Sequence, residues 1–594
     1  MSIDPPREHF APVLALWKRR FRKGAFELVK SKDFPGAYAA SQGHPLWLQR
    51  DGCGVIGDKL VCSDADLVRA VSARSWPDKA VEDMLAASGS ICAYLVDEKR
   101  KQAYMMPDPL GGCLCYRYED REVIAYSSDL RHMVDWLTSI GKSPKTSSHY
   151  FAMILSIGNG AYGHSSYEGI TVLPGHVYVS ISNGKAVEHQ YPVNDYLLDR
   201  SEPLEHLIDK AVGEIRHNVR AIINHPAPRK IAHLTGGFDT RLVLSAILAE
   251  GKQDSFRFMC SGPSGTIDKT TAHGLAVKYG LSMTNSDGLL TRVMAKDADE
   301  QSRWGMLYSA GMRPNCKIDD GHDVSDQTII VSGGYGECAR SFYSQKVPAD
   351  TPPSEVAYTI WNHSLTSSEK GNRITSSGVA QMIAEDTGRY LEQRLKDGWE
   401  MPEALDLMYA EQRNRYFVGN IATLFSRKTP RFDPLYSLSS LKAALSVTAE
   451  ERQFNKVGFE IMRRLQPELM AMKFGGKEFS EATYAEFPSI NSVDHPVGTA
   501  LYDDIAPAQH IADKANKITS KDVEVANRIG GTAWQVARLS DAQSTCKRLL
   551  SKDDDLYSVM DQGAVESMLS GPIRNRVKMR QVHLLKSILS YSVD

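Results

Sequence analysis

The sequence predicts a mixed α+β and α/β architecture: an antiparallel β-rich N-terminal domain, then a doubly wound α/β domain with a helical C-terminal part. Three observations carry this. Between about residues 35 and 190, short alternating apolar runs are broken by Gly, Asp and Asn, the texture of antiparallel strands. From about 230 to 335 strand-like and helix-like segments alternate, as a parallel sheet with crossover helices requires. Beyond 350 the pattern is mostly helical, broken at Val347–Pro353, Lys428–Pro434 and Phe487–Pro496.

The elements follow in order. Strands are expected over Pro45–Asp51, Ser90–Glu98, Lys101–Asp108, Cys113–Tyr118, Glu122–Asp129 and Gly175–Ser182, with short helices at Leu130–Leu137 and Tyr150–Ile157. The polar stretch Pro192–Ser201 reads as a linker, and Ser201 as the N-cap of an amphipathic helix through about Arg220. Strand Lys230–Thr235 leads into helix Thr240–Glu250, strand Ser255–Cys260 into helix Ile267–Tyr279, and Gln327–Ser332 is a further strand. These textures divide the chain into 1–195, 200–480 and 481–594, the last a helical extension of the second domain.

Composition limits the partners. Of 594 residues 42% are hydrophobic and 24% charged, an ordinary globular balance. Lys and Arg number 70 against 72 Asp and Glu, so the totals ask for neither nucleic acid nor an anionic membrane. No stretch reaches the ~18 apolar residues of a spanning helix. The nine cysteines are scattered and include no CxxC pair, which argues against structural zinc. The expectation is a cytoplasmic chain with reduced thiols.

The chemistry concentrates in two loops. In His233–Leu244 an apolar strand ends in Leu234, Thr235, Gly236, Gly237, Phe238, Asp239 and Thr240 and runs straight into an apolar helix. Glycines allow close backbone approach, and a helix N-terminus attracts anions. Asp239 would repel a bare phosphate but suits a Mg²⁺ that phosphates share. The plain alternative is a tight turn with Asp239 as a helix cap. About a hundred residues later, Ile329–Val331 runs into Ser332, Gly333, Gly334, Tyr335, Gly336 and Glu337, with Arg340 three residues on. Arg340 could bind a phosphate or carboxylate bidentately. Both loops would open at the carboxyl ends of parallel strands, where ligands bind. Asp268 is either a site acid or an ordinary first-turn helix acid.

These motifs resemble the asparagine synthetase family, with its amide-forming cousins the β-lactam synthetases and lasso-peptide macrolactam synthetases, over roughly residues 35–480. TGGFDT is similar to the SGGxDS pyrophosphate loop of N-type ATP pyrophosphatases, with threonines for both serines. Arg241 departs from the small polar residue usual there. SGGYGE resembles the family's SGxGGD loop, with Glu337 for Asp, and Asp268 matches its acid before an Ala-rich helix. Gly89–Glu98, Met106–Gly111, Val123–Leu130 and Glu168–His176 resemble strands of a class II glutamine-amidotransferase β-sandwich. Working glutaminases carry Cys directly after the initiator Met; residue 2 here is Ser, and Cys53 lacks the glutamine-binding segments around it. The resemblance therefore implies a vestigial amidotransferase domain.

It further implies that ATP and a carboxylate give an acyl-adenylate and PPi, after which an amine forms the amide and AMP leaves. Leu234, Thr235, Gly236, Gly237, Asp239, Thr240, Gly333 and Gly334 would hold ATP, and Asp239 and Glu337 the Mg²⁺. Lys473 or Lys477 would cover the transition state, Tyr335 would orient or deprotonate the amine, and Arg340 would contact phosphate or substrate. The implied substrates are a peptide or small-molecule carboxylate and an amine, with macrolactam formation the sharpest case and a precursor peptide or biosynthetic partner protein as company. Asparagine synthesis, or a non-catalytic nucleotide- or partner-binding role, stays open.

Overall fold

In the computed structural model the described residues are 8–18, 24–41, 44–71, 78–261, 265–284, 298–314, 328–365, 373–476, 478–502, 514, 516–573 and 575–593. Three sheets organise them. The first is antiparallel, in the order Ile170–Val172, Tyr116–Glu119, Val123–Ser127, Val13–Trp17, Phe26–Val29. The second is antiparallel too, running Lys185–Gln190, Val177–Ser182, Gln102–Pro107, Ser88–Asp97, His44–Ile56, Ala37–Ser41, with Lys59–Val61 paired to His44–Ile56. The third is parallel throughout: Arg431–Phe432, Thr328–Val331, Arg229–His233, Arg257–Met259, Ser282–Thr284, Leu501–Tyr502.

Side-chain alternation stacks the two antiparallel sheets face to face. Leu14, Leu16, Ile124 and Tyr126 of the first meet Trp47, Tyr94, Val96 and Met105 of the second. On the first sheet's other face, Val13, Ala15, Val123 and Ala125 pack with helices Leu130–Ser139 and Ser148–Ile157. The second sheet's outer face, with Leu48, Ile91, Ala93 and Leu95, packs on Asp64–Ala70 and Asp78–Leu85. The result is a four-layer helix–sheet–sheet–helix unit.

Several expectations need adjustment. The inner strand Val13–Trp17 precedes the segment read as β-rich; its first four residues are all buried, so it shows no alternation. The amphipathic helix spans Leu204–Asn224 with Pro203 as its cap residue, while the Ser201 amide donates to the Asp199 carboxylate at 2.9 Å instead. The alternating segment is a parallel sheet, but its helices Phe238–Ala249 and Ile267–Tyr279 share one face with Leu204–Asn224 and Lys456–Leu465. The opposite face carries Ile231, Met259 and Ile330 among the described residues, and the strand order reverses between Arg229–His233 and Thr328–Val331, the order of a doubly wound sheet. Helix Ala298–Tyr308, which could have returned to that face, packs against Arg576–Ser592. The late helices Leu539–Leu550 and Arg576–Ser592, expected as an extension of the α/β domain, bury Cys546, Leu585 and Leu589 in the helical layer over the first antiparallel sheet.

Polar side chains join the two halves. Arg427 donates bidentately to Asp51, at 3.0 and 2.8 Å, and both are buried. Arg415 donates to the Gly111 and Leu173 carbonyls. Tyr436 donates to Asp108, whose carboxyl burial pushes up to about 6. No helix among the described residues is long and apolar enough to cross a membrane.

Candidate active site at the carboxyl edge of the parallel sheet

Strand Arg229–His233 ends in the first glycine loop, and helix Phe238–Ala249 starts directly after it, with Gly237 as its cap residue and no side-chain cap. The first-turn N–H groups of an α-helix have no intrahelical partner, which is why helix starts of this kind suit anions. The loop is internally braced. Thr240 Oγ1 accepts from the Thr235 amide at 3.1 Å and pairs with Thr235 Oγ1 at 3.0 Å; Thr235 Oγ1 accepts from the Gly237 amide at 3.1 Å. The Gly236 amide donates to Asp268 Oδ1 at 3.0 Å. Asp268 is therefore more than a helix-end acid: its carboxylate rests on a loop amide in the manner of a bound anion oxygen. Leu234 is fully buried in the core, and only its backbone belongs to the loop.

The second glycine loop leaves the neighbouring strand Thr328–Val331 and presses onto the first. A Cβ at Gly333 would lie 2.9 Å from the Asp239 backbone, and one at Gly336 would lie 2.5 Å from Asp239 Oδ1. The absence of side chains there lets the two loops touch. Gly334 donates its amide to Asp433 at 3.3 Å. Arg340 lies between the two predicted metal carboxylates: Nη2 is 2.9 and 3.0 Å from the Asp239 oxygens and 3.5 Å from Glu337 Oε1. One guanidinium thus spans Asp239 and Glu337, so both carboxylates border a single space that already accepts a cation.

That space suits a divalent ion only in company. Among the described residues no cluster of three or more His, Cys, Asp or Glu side chains could hold a metal alone. Mg²⁺ is commonly held by one or two carboxylates with phosphate oxygens completing its shell, and Asp239 and Glu337 supply that number.

Other expected residues lie elsewhere. Tyr335 adopts a left-handed φ of 68° and is buried, with its hydroxyl 2.9 Å from Ser90 Oγ of the sandwich. Burial raises its pKa well above the ordinary tyrosine value. It is a contact between the halves and not a base open to an amine. The Lys473 ammonium is more than half exposed and pairs with Asp494 at 2.6 Å, which raises its pKa; no contact joins it to Asp239 or Glu337. Lys477 and Cys316 lie outside the described residues. Cys53 is fully buried with its sulfur 3.2 Å from Cys62, and every described cysteine is buried.

Two participants escaped the sequence pattern. Tyr409 opens a π-helical stretch, Tyr409–Gly419, and donates to Glu337 Oε2. Such stretches recur at functional sites, but nothing in local sequence marks one. Asp433 follows the two-residue edge strand Arg431–Phe432, too short to read as a strand. No family model matches the chain, and no curated protein matches it.

Proposed function

We propose that the chain is an ATP-dependent ligase that activates a carboxylate as its adenylate, releasing PPi, and lets an amine capture it as an amide with release of AMP. One observation carries this reading: two glycine loops at the ends of adjacent parallel strands touch, and Asp239 and Glu337 share one cation between them. Mg²⁺ bound there would neutralise the pyrophosphate leaving group. The chain's own contribution is positioning and charge. The uncapped start of Phe238–Ala249 offers N–H groups to phosphate oxygens. Arg340 would pass from the carboxylates to a phosphate or to the substrate's carboxylate. Tyr409 orients Glu337.

The family resemblance of the two loops supports the same reading, and the four-layer unit is compatible with an amidotransferase-like domain. Glutamine hydrolysis finds no support, because Cys53 is sealed in the core and a nucleophile needs access and a base. The amine would then belong to the substrate or to a second molecule, as in macrolactam formation. The test is exchange of labelled PPi into ATP with Mg²⁺ across a panel of acids and peptides. Acid-dependent exchange is expected; ADP formation in its place would remove the proposal.

A further inference from the structure

Arg241 is the one cation in the first turns of helix Phe238–Ala249, two residues past Asp239, and it is fully buried. It pairs with no carboxylate. Its guanidinium donates to the carbonyl oxygens of Leu469 at 3.2 Å, Met472 at 2.5 Å and Lys473 at 2.8 Å, and lies 3.6 Å from the centre of the Phe474 ring. Phe474 stacks in turn with Phe238 at the head of the helix, their rings 6.1 Å apart. Its Nε has no acceptor. A buried cation without a counter-ion is costly.

The segment it grips reaches the glycine loop directly. The Gly475 amide donates to the Gly236 carbonyl at 3.1 Å. A Cβ at Gly475 would lie 2.9 Å from Gly236 Cα. The loop therefore has a second wall, Met472–Gly475, whose placement depends on carbonyls that only a forked donor can gather.

We infer that Arg241 is a positioning residue that holds Met472–Gly475 against the glycine loop as the second wall of the anion site, and that its uncompensated charge favours the bound anion. This rests on the proposed pyrophosphate loop. The test is calorimetric titration of the full chain with magnesium pyrophosphate. Arg241→Met is expected to weaken binding at least tenfold, and Arg241→Lys to recover at least threefold of that loss by restoring charge. Gly475→Ala leaves Arg241 intact but forces the walls apart, and a loss of at least tenfold with an unchanged thermal midpoint is expected. Should Arg241→Met fail to fold, Gly475→Ala decides alone. Wild-type affinity in folded Arg241→Met or in Gly475→Ala overturns the inference, as does no recovery in Arg241→Lys. If the wild-type chain itself does not bind magnesium pyrophosphate, the proposed function falls and this inference with it; if it binds and the variants match it, the inference alone fails.

Discussion

The two halves of the molecule treat their polar groups in opposite ways. In the sandwich, buried polar groups are fully engaged, by its own backbone and by side chains of the other half: Asp108 takes two backbone amides and the Tyr436 hydroxyl, and Asp51 takes Arg427. At the carboxyl edge of the parallel sheet, Asp239, Glu337 and Arg340 stay partly exposed around one space, beside a helix start without a side-chain cap. A satisfied buried network stabilises and specifies a fold; a partly open one can exchange its partners for a ligand. Under the proposed function, the contrast gives structure to the first half and chemistry to the second.

The contrast can be broken from either side. The largest effect expected is on stability. Arg427→Met leaves Asp51 buried without its counter-ion, held only by Ser128 Oγ among the described residues, at a cost of about 3–5 kcal/mol. Denaturant unfolding reads this, and PPi exchange per folded molecule should hold. Asp239→Ala should do the reverse, lowering exchange on the order of a hundredfold to a thousandfold with little change in melting temperature. Retained exchange would break the assignment of chemistry to that loop.

A smaller effect depends on pH. The Asp108 carboxyl sits at about 6 in the folded chain against 3.8 as its ordinary value. It keeps its proton longer when folded. Its contribution to stability is therefore fully present below pH 3.8 and is lost as pH rises through about 6. Unfolding free energies of the wild type minus those of Asp108→Asn should fall by about 3 kcal/mol across that window. A flat difference would mean that the carboxyl is not desolvated. The smallest effect belongs to Cys53→Ala, which should cost about 1 kcal/mol and leave exchange unchanged; a glutamine-dependent rate lost in this variant would restore a glutaminase to the sandwich.

What sequence reveals here divides by range. The two glycine loops were legible because strand, Gly-Gly and acid follow one another within a few residues. The strands of the sandwich after residue 35 were legible from the Gly, Asp and Asn breaks between them, even where, as in Ser88–Asp97 and Val123–Ser127, burial on both faces removes alternation; Val13–Trp17 lies ahead of that punctuated segment. Contacts distant along the chain left no local mark. Tyr409 meets Glu337 across 72 positions, and Arg241 grips carbonyls 228 to 232 positions away. In sequence Arg241 reads only as a departure from a family pattern; in space it ties the helix start to Met472–Gly475. Tyr335 is buried through equally distant contacts, with Ser90 of the other half and with Tyr436.

The central claim is that the paired glycine loops hold the phosphates of ATP through a shared Mg²⁺. Phosphorus NMR of Mg·ATP titrated with the intact chain tests it most directly. The ATP resonances are expected to shift and broaden with the wild-type protein and to stay at their free positions with Asp239→Ala. Identical spectra with the two proteins, whether both shifted or both unshifted, would contradict it.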